Sequence, residues 1–253
     1  MAGDEIKLIV WNVLGRGKIK SWPILVYNRL KKENSDIICL QEGYSNQKQI
    51  RTLENWGYNL ITDIEFMDNH PFRDTLTASK FKIKKSGQLI LPGHGSCLWA
   101  EIDCQGKELK IYNCHFNLSR VGPRERLENL QTIINDAETF KGAIIISGDM
   151  NTIFNSKNFV ARFQCFTTYK MSKKSKIDQR DERYAFLELA EKYGYKEALP
   201  IKKNTWKIAA ISPIKYPPLK LDWLLYKNIK TMEAKLKPRF ISDHEAIVAK
   251  MEL

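Results

Sequence analysis

Four places along this chain end an apolar run in groups able to do acid, base or metal chemistry. They are Trp11-Asn12, Gln41-Glu42, Ala143-Ile-Ile-Ile-Ser-Gly-Asp-Met-Asn151 and Ser242-Asp-His244. Asp149 and Asn151 lie two apart, so in an extended segment their side chains share one side. Such a carboxylate can orient or deprotonate an attacking water, while the amide donates to a phosphoryl oxygen as its charge grows. Glu42 follows the apolar Ile37-Ile-Cys-Leu-Gln41. An ionised carboxylate at the end of a buried strand is costly unless a cation or a hydrogen-bond partner compensates it, and its hard oxygens suit magnesium. Of four histidines, His115 and His244 end apolar runs beside polar groups, and Asp222 is a candidate to fix the tautomer of His244. His70 and His94 sit in Asn-His-Pro and Gly-His-Gly turns and read as structural or solvated. Each tip alone has an ordinary explanation, a capped turn or an Asx-turn; the recurrence of four points to a site.

Positioning these tips requires strands. Strand-length apolar runs occur at Ile6 to Val10, Asp36 to Leu40, Tyr58 to Thr62, Thr75 to Ser79, Ser96 to Ile102, Leu109 to Cys114, Ala143 to Ser147, Leu221 to Tyr226 and Glu245 to Met251. Helical patterns are predicted from Ser21-Trp-Pro23 to about Lys32, from Glu125 to Phe140 and from Asp181 to Tyr193. Several strands follow one another between Tyr58 and Cys114 without a helix, which argues against an all-parallel sheet and for a mixed or antiparallel one with helices outside. No linker or internal period divides the chain, so residues 1–253 read as one domain.

Lysine and arginine total 41 against 29 acidic residues, a net charge of +12. Such a surplus suits a polyanionic partner, nucleic acid or an anionic membrane face. Two irregular stretches concentrate it: Tyr169 to Lys176, and Lys202 to Lys220, where lysines alternate with Trp206 and Tyr216. Basic groups mixed with aromatics can hold phosphates and stack exposed bases. Trp206 is thus a candidate substrate contact, although a tryptophan so placed more often sits in the core. The five cysteines are odd in number and include no CxxC pair, which speaks against a disulfide framework or zinc site. No apolar stretch is long enough for a membrane span, and the N-terminal residues lack the features of a secretion signal. An intracellular monomer is expected, cytoplasmic or, in a eukaryote, nuclear.

Taken in order, Trp11-Asn12, Leu40-Gln-Glu42, Asn113-Cys-His115, Gly148-Asp-Met-Asn151, Leu221-Asp222 and Ser242-Asp-His244 resemble the endonuclease/exonuclease/phosphatase superfamily, the deoxyribonuclease I-like fold. The resemblance implies a four-layer α/β sandwich, two packed, mostly antiparallel sheets flanked by helices. It makes Glu42 the ligand of Mg²⁺ (or Mn²⁺), with Asn12 beside metal and phosphate and Asp243 supporting the metal or its water. It makes Asp149 the group that aligns the nucleophilic water, Asn151 and His115 the binders of the scissile phosphate, and Asp222 the orienter of His244. Whether Asp149 or His244 is the general base stays open at this level. The implied activity is magnesium-dependent hydrolysis of phosphodiester bonds in nucleic acid, DNA foremost, by an endo- or exonuclease or an end-processing enzyme. A phosphatase or lipid phosphodiesterase of the same superfamily is the alternative, and a non-catalytic nucleic-acid-binding protein on this scaffold a third. Exonuclease III-like abasic endonucleases generally carry tyrosine where this chain has His115. The histidine is more similar to deoxyribonuclease I, deadenylases, sphingomyelinases and tyrosyl-DNA phosphodiesterases. Arg124 and Arg126, opening the helix after His115, are candidate substrate contacts by the same resemblance, and Asp74 is a candidate partner for His115.

Overall fold

A computed structural model describes residues 5–13, 24–43, 47–63, 75–92, 95–117, 122–152, 181–206, 219–237 and 242–253. Among the described residues twelve strands form two six-stranded sheets. The first contains β1 (Glu5–Asn12), β2 (Ile37–Gln41), β3 (Asn59–Thr62), β4 (Leu76–Ser79), β11 (Lys230–Lys237) and β12 (Ala246–Glu252), in the order β11-β12-β1-β2-β4-β3. The second contains β5 (Lys82–Gln88), β6 (Ser96–Cys104), β7 (Lys107–His115), β8 (Ala143–Asp149), β9 (Lys196–Glu197) and β10 (Asp222–Lys227), in the order β5-β6-β7-β8-β10-β9. Each sheet has one parallel pair at its centre, β1 with β2 and β7 with β8, and antiparallel pairs elsewhere. The crossovers of those parallel pairs carry α1 (Ile24–Glu33) and α3 (Pro123–Ala137), the helical return that a parallel pair needs. Two further helices are α2 (Gln47–Asn55) and α4 (Glu182–Lys192).

Period-two alternation assigns every strand an inner and an outer face. Ile6, Leu8 and Val10 of β1, Ile37 and Cys39 of β2, Leu109 and Ile111 of β7, Ala143 and Ile145 of β8, Leu224 of β10 and Ile247 of β12 form one core between the sheets. Their neighbours Ile9, Trp11, Ile38 and Leu40 pack with Val26 and Leu30 of α1 and Leu53 of α2. On the second sheet Tyr112, Ile144, Ile146, Trp223 and Leu225 pack with Leu130, Ile133, Ile134, Phe186 and Ala190 of α3 and α4. The expected order of helix, sheet, sheet, helix is therefore what the chain builds.

Local chemistry fixes the helix starts. Pro123 opens α3, and the Glu125 carboxylate accepts the Gly122 N–H at 2.9 Å. Asp181 caps α4 by accepting the Arg183 N–H at 3.1 Å. The edge strands β5 and β11 are lysine-rich and half-exposed, a composition that discourages pairing with another chain. The cysteines Cys39, Cys97, Cys104 and Cys114 are buried free thiols, and Cys165 lies outside the described residues. No described helix is long and apolar enough to cross a membrane.

Candidate active site

The inner face of several strands turns polar at one end of the sandwich. Continuing the alternation, β1 ends in Asn12, β2 in Gln41, β7 in Asn113 and His115, β8 in Ser147 and Asp149, and β10 begins with Asp222. Pair registers bring these positions level: Asn12 faces Gln41 across the first parallel pair, and Asp149 sits between His115 and Asp222 in the second sheet. The carboxyl ends of parallel strands are where open α/β sheets place their ligands. Here both parallel pairs bring their polar ends together, Asn12 to Asp149 and Gln41 to Asn113.

Gly148 lets β8 deliver Asp149. Its φ is +128°, and a Cβ there would lie 2.0 Å from the Cys114 carbonyl oxygen, so only glycine allows β8 to lie this close to β7. Two site residues leave regular strand geometry at φ of 50°, Glu42 and Asn151. Asparagine tolerates this left-handed conformation; for glutamate it is a strained position of the kind that collects at functional sites. The turn at Glu42 breaks the alternation and brings its carboxylate 3.3 Å from Asn12 Nδ2, on the inner side with Gln41.

Asp149 is the hub. Its Oδ2 accepts Asn12 Nδ2 at 2.9 Å and lies 3.7 Å from His115 Nε2 and 3.8 Å from His244 Nε2. Its Oδ1 accepts the Asn151 backbone N–H at 3.0 Å, an Asx-type closure, and the Asn151 side chain donates to the Phe116 carbonyl at 2.7 Å. His244 Nδ1 meets both Asp222 oxygens, at 2.9 and 3.1 Å, which directs Nε2 toward Asp149. Ser242 Oγ ties this segment to β1 by donating to the Asn12 carbonyl and accepting the His244 N–H.

Burial raises the Asp149 carboxyl to about 6, opposed by the attraction of His244 and reinforced by Asp222. For His244 burial acts downward, but the charges of Asp222 and Asp149 outweigh it and set the imidazole at about 10. Over neutral pH the pair is therefore a carboxylate beside an imidazolium.

The donor chemistry around this pair fits a hard cation. Asp149, Asp222 and His244 offer ligand atoms within 4.8 Å of one another. However, the Asp222–His244 hydrogen bond already uses two of the three. Glu42, Asp243 and Asn12 supply further oxygens, and Asp243 Oδ1 is buried without a hydrogen-bond partner among the described residues, 3.9 Å from His244 Nε2. An orphaned carboxylate oxygen is costly to bury and suits a metal or its water.

Asn12, Glu42, His115, Asp149, Asn151, Asp222, Asp243 and His244 thus converge. Trp206 is half-buried at the same end and donates its indole N–H to Asp243 Oδ2 at 2.8 Å, so it is engaged with the site through its polar edge. Arg124 is exposed on α3 and pairs with Glu128.

Arg126 departs from its expectation as a substrate contact. It is fully buried, with Nε and Nη2 donating to Glu182 at 2.6 and 2.8 Å, because the α3 face that carries it packs on α4. Removing one partner of such a pair leaves a buried charge uncompensated. Arg126→Met should cost about 3–5 kcal/mol in denaturant unfolding while leaving substrate KM unchanged. A raised KM with unchanged stability would restore the substrate role. Asp74, His70, His94 and the Tyr169–Lys176 stretch lie outside the described residues.

Sequence reasoning missed Thr205 and the anchoring role of Ser242. Thr205 Oγ1 accepts the backbone N–H groups of Leu221 and Asp222, both at 3.0 Å. A single hydroxyl between lysines and an aromatic gives no periodic signal.

A model of the "Endonuclease/Exonuclease/phosphatase family" matches residues 9–244. Solved structures agree in fold. D. rerio TDP2 complexed with single strand DNA product superposes with a TM-score of 0.68 at 15% identity, covering 98% of this chain and 99% of that one. The human Nocturnin catalytic domain with bound sulfate anion gives 0.66 at 18%, covering 98% and 93%. A family protein from Leptotrichia buccalis C-1013-b gives 0.65 at 17%, covering 98% and 100%. A curated sequence, imidazoleglycerol-phosphate dehydratase of Clostridium novyi (strain NT), is 32% identical over 75 residues. That stretch is 30% of this chain and 38% of the dehydratase, too little of either to carry an activity across.

Proposed function

The chain belongs to the endonuclease/exonuclease/phosphatase family, whose members are hydrolases of phosphoester bonds and generally depend on a divalent metal, and from this we propose that it is a Mg²⁺-dependent phosphodiesterase acting on nucleic acid. The observation that carries the reading is Asp149, a buried carboxylate held by Asn12 and Asn151 between two imidazole groups. The packing of the two sheets does not require a buried carboxylate 3.7 and 3.8 Å from two imidazole nitrogens, one of them hydrogen-bonded to a second carboxylate, whereas such a cluster suits acid–base hydrolysis of a phosphoester.

In the proposed reaction Asp149 holds the attacking water and takes its proton as the water oxygen bonds to phosphorus, the P–O bond to the leaving oxygen breaks, and that oxygen takes a proton from solvent. The His244 imidazolium, kept in one tautomer by Asp222, donates through Nε2 to a phosphoryl oxygen. His115 and the second N–H of the Asn151 amide donate to the same group, stabilising charge as it grows. Glu42, with Asp243 and Asn12, would hold the cation, which when bound neutralises phosphate charge and assists the leaving oxygen. The assignment of base to Asp149 and acid to His244 rests on their opposed ionisation. It predicts that kcat/KM rises with pH as Asp149 ionises near 6 and falls as His244 loses its proton near 10. A profile that instead rises through deprotonation of His244 makes that imidazole the base.

Nucleic acid as substrate is supported by charge. Residues 153–180, which follow directly on Asn151 and Thr152, contain seven lysines and arginines against one aspartate. The fold neighbour bound to single-stranded DNA product is consistent with it. The deciding experiment offers the purified protein, with Mg²⁺ and with EDTA, single-stranded DNA, abasic duplex, RNA, a 5′-tyrosyl end and a phospholipid. Metal-dependent cleavage of a nucleic acid is expected. Turnover of the phospholipid alone would transfer the assignment to a lipid phosphodiesterase, and nucleic-acid binding without any cleavage would make the chain a non-catalytic binder.

A further inference from the structure

Asp222 and His244 come from different sheets. Asp222 opens β10 in the second, and His244 lies just before β12 in the first. Their 2.9 Å contact therefore depends on something that fixes one sheet's strand start against the other's. We propose that Thr205-Trp206 is that device, a two-residue positioning element that aligns Asp222, Asp243 and His244, with Trp206 acting through its indole N–H.

The polar groups of the pair engage both sides of the join. On the β10 side, Thr205 N–H donates to the Leu219 carbonyl at 2.9 Å, and Thr205 Oγ1 accepts the Leu221 and Asp222 N–H groups. On the β12 side, the Thr205 carbonyl accepts the Glu245 N–H at 2.8 Å. Trp206 continues the join as a bridge residue, paired antiparallel with both Leu219 and His244. Its indole N–H reaches Asp243 Oδ2 at 2.8 Å. Asp222, Asp243 and His244 are each touched by this pair, directly or at an adjacent backbone group. Thr205 is wholly buried, so these bonds form in low dielectric, where they are strong and where losing one leaves a group unsatisfied.

The alternative use of Trp206, a stacking surface for a base, requires only its ring. Positioning requires only its N–H. Trp206→Phe separates the two, since phenylalanine keeps an aromatic face and removes the donor.

This inference rests on the phosphodiesterase reading for its kinetic arm and not for its spectroscopic one. With Mg²⁺ and a labelled single-stranded oligonucleotide, Trp206→Phe and Thr205→Val should each lower kcat roughly 10–100-fold with KM little changed, the usual scale for groups that orient a reactive shell. Thr205→Ser, which restores the hydroxyl, should recover most of the loss. Independently of any substrate, the downfield Nδ1–H resonance of His244, held by Asp222 in the wild type, should broaden or vanish in Thr205→Val and persist in Thr205→Ser. Unchanged kcat with raised KM in Trp206→Phe, or an intact His244 resonance in a folded Thr205→Val, overturns the proposal. Should the wild type cleave no oligonucleotide, the activity reading fails while the resonance test still decides the positioning role.

Discussion

Asp149→Asn should fold, bind nucleic acid and lose ~10³-fold or more of its turnover. Asparagine preserves the shape of the hub but accepts no proton and carries no charge to hold His244 and His115 in place. Its effect on stability should depend on pH, with a sign set by linkage. Burial raises Asp149 from 3.8 to about 6 in the folded state, so the folded protein resists ionisation that the unfolded chain undergoes freely. Wild-type stability therefore falls as pH rises from about 4 through about 6, by roughly 3 kcal/mol for a shift of this size. The asparagine variant lacks that titration. It loses an acceptor, worth about 1–3 kcal/mol, at every pH. Urea unfolding of both proteins across this range should show the difference moving in favour of the variant as pH rises. A difference that is flat with pH, or turnover near wild type, would remove Asp149 from the centre of the mechanism.

His244→Ala should also abolish most activity, ~10²–10⁴-fold, with a larger cost in stability that changes over a higher range of pH. The folded imidazole is raised from 6.5 to about 10 by Asp222 and Asp149 against the effect of burial. A raised cation contributes stability that is complete below about 6.5 and disappears as pH climbs through about 10. Removing it at pH 7 strands two buried carboxylates and should cost about 3–5 kcal/mol. The gap between variant and wild type should narrow toward pH 10. Asp222→Asn combined with His244→Ala should be less destabilised than His244→Ala alone, since the stranded charge leaves with its partner. An additive double variant would mean that the 2.9 Å pair contributes little. Thermal or denaturant unfolding of the three variants measures this without any substrate.

The elements that sequence reading found were those with strong periodicity. The runs ending at Asn12, Gln41, Cys114 and Ser147 are buried on both faces, and their apolar residues need no partner to be recognised. The helices beginning near Pro123 and Glu182 were legible from the helical spacing of their apolar residues, and the structure adds their caps. Overlooked were α2, β5, β9 and β11. Helix α2 is short and polar, with Leu53 alone among its apolar residues fully buried. Strands β5 and β11 are sheet edges whose lysines face solvent, so apolar alternation is weak there and tertiary pairing supplies the strand. The burial of Arg126 against Glu182 was illegible for a related reason: an arginine near a helix start looks the same in sequence whether it faces a ligand or a neighbouring helix.

The sequence by itself determined the inventory and the layering. Period-two runs, capped helices and polar strand tips are written in residues a few positions apart, and each is decided by local sterics and by which side chains leave water. Only the tertiary structure decided which tips meet. The Asp222–His244 bond, the left-handed turn that swings Glu42 inward, the Thr205-Trp206 join and the Arg126–Glu182 pair all depend on register between distant segments. Those contacts, and the opposed ionisation of Asp149 and His244, arise from packing in a low-dielectric interior, where a shift of one residue along a strand would turn every group to the other face.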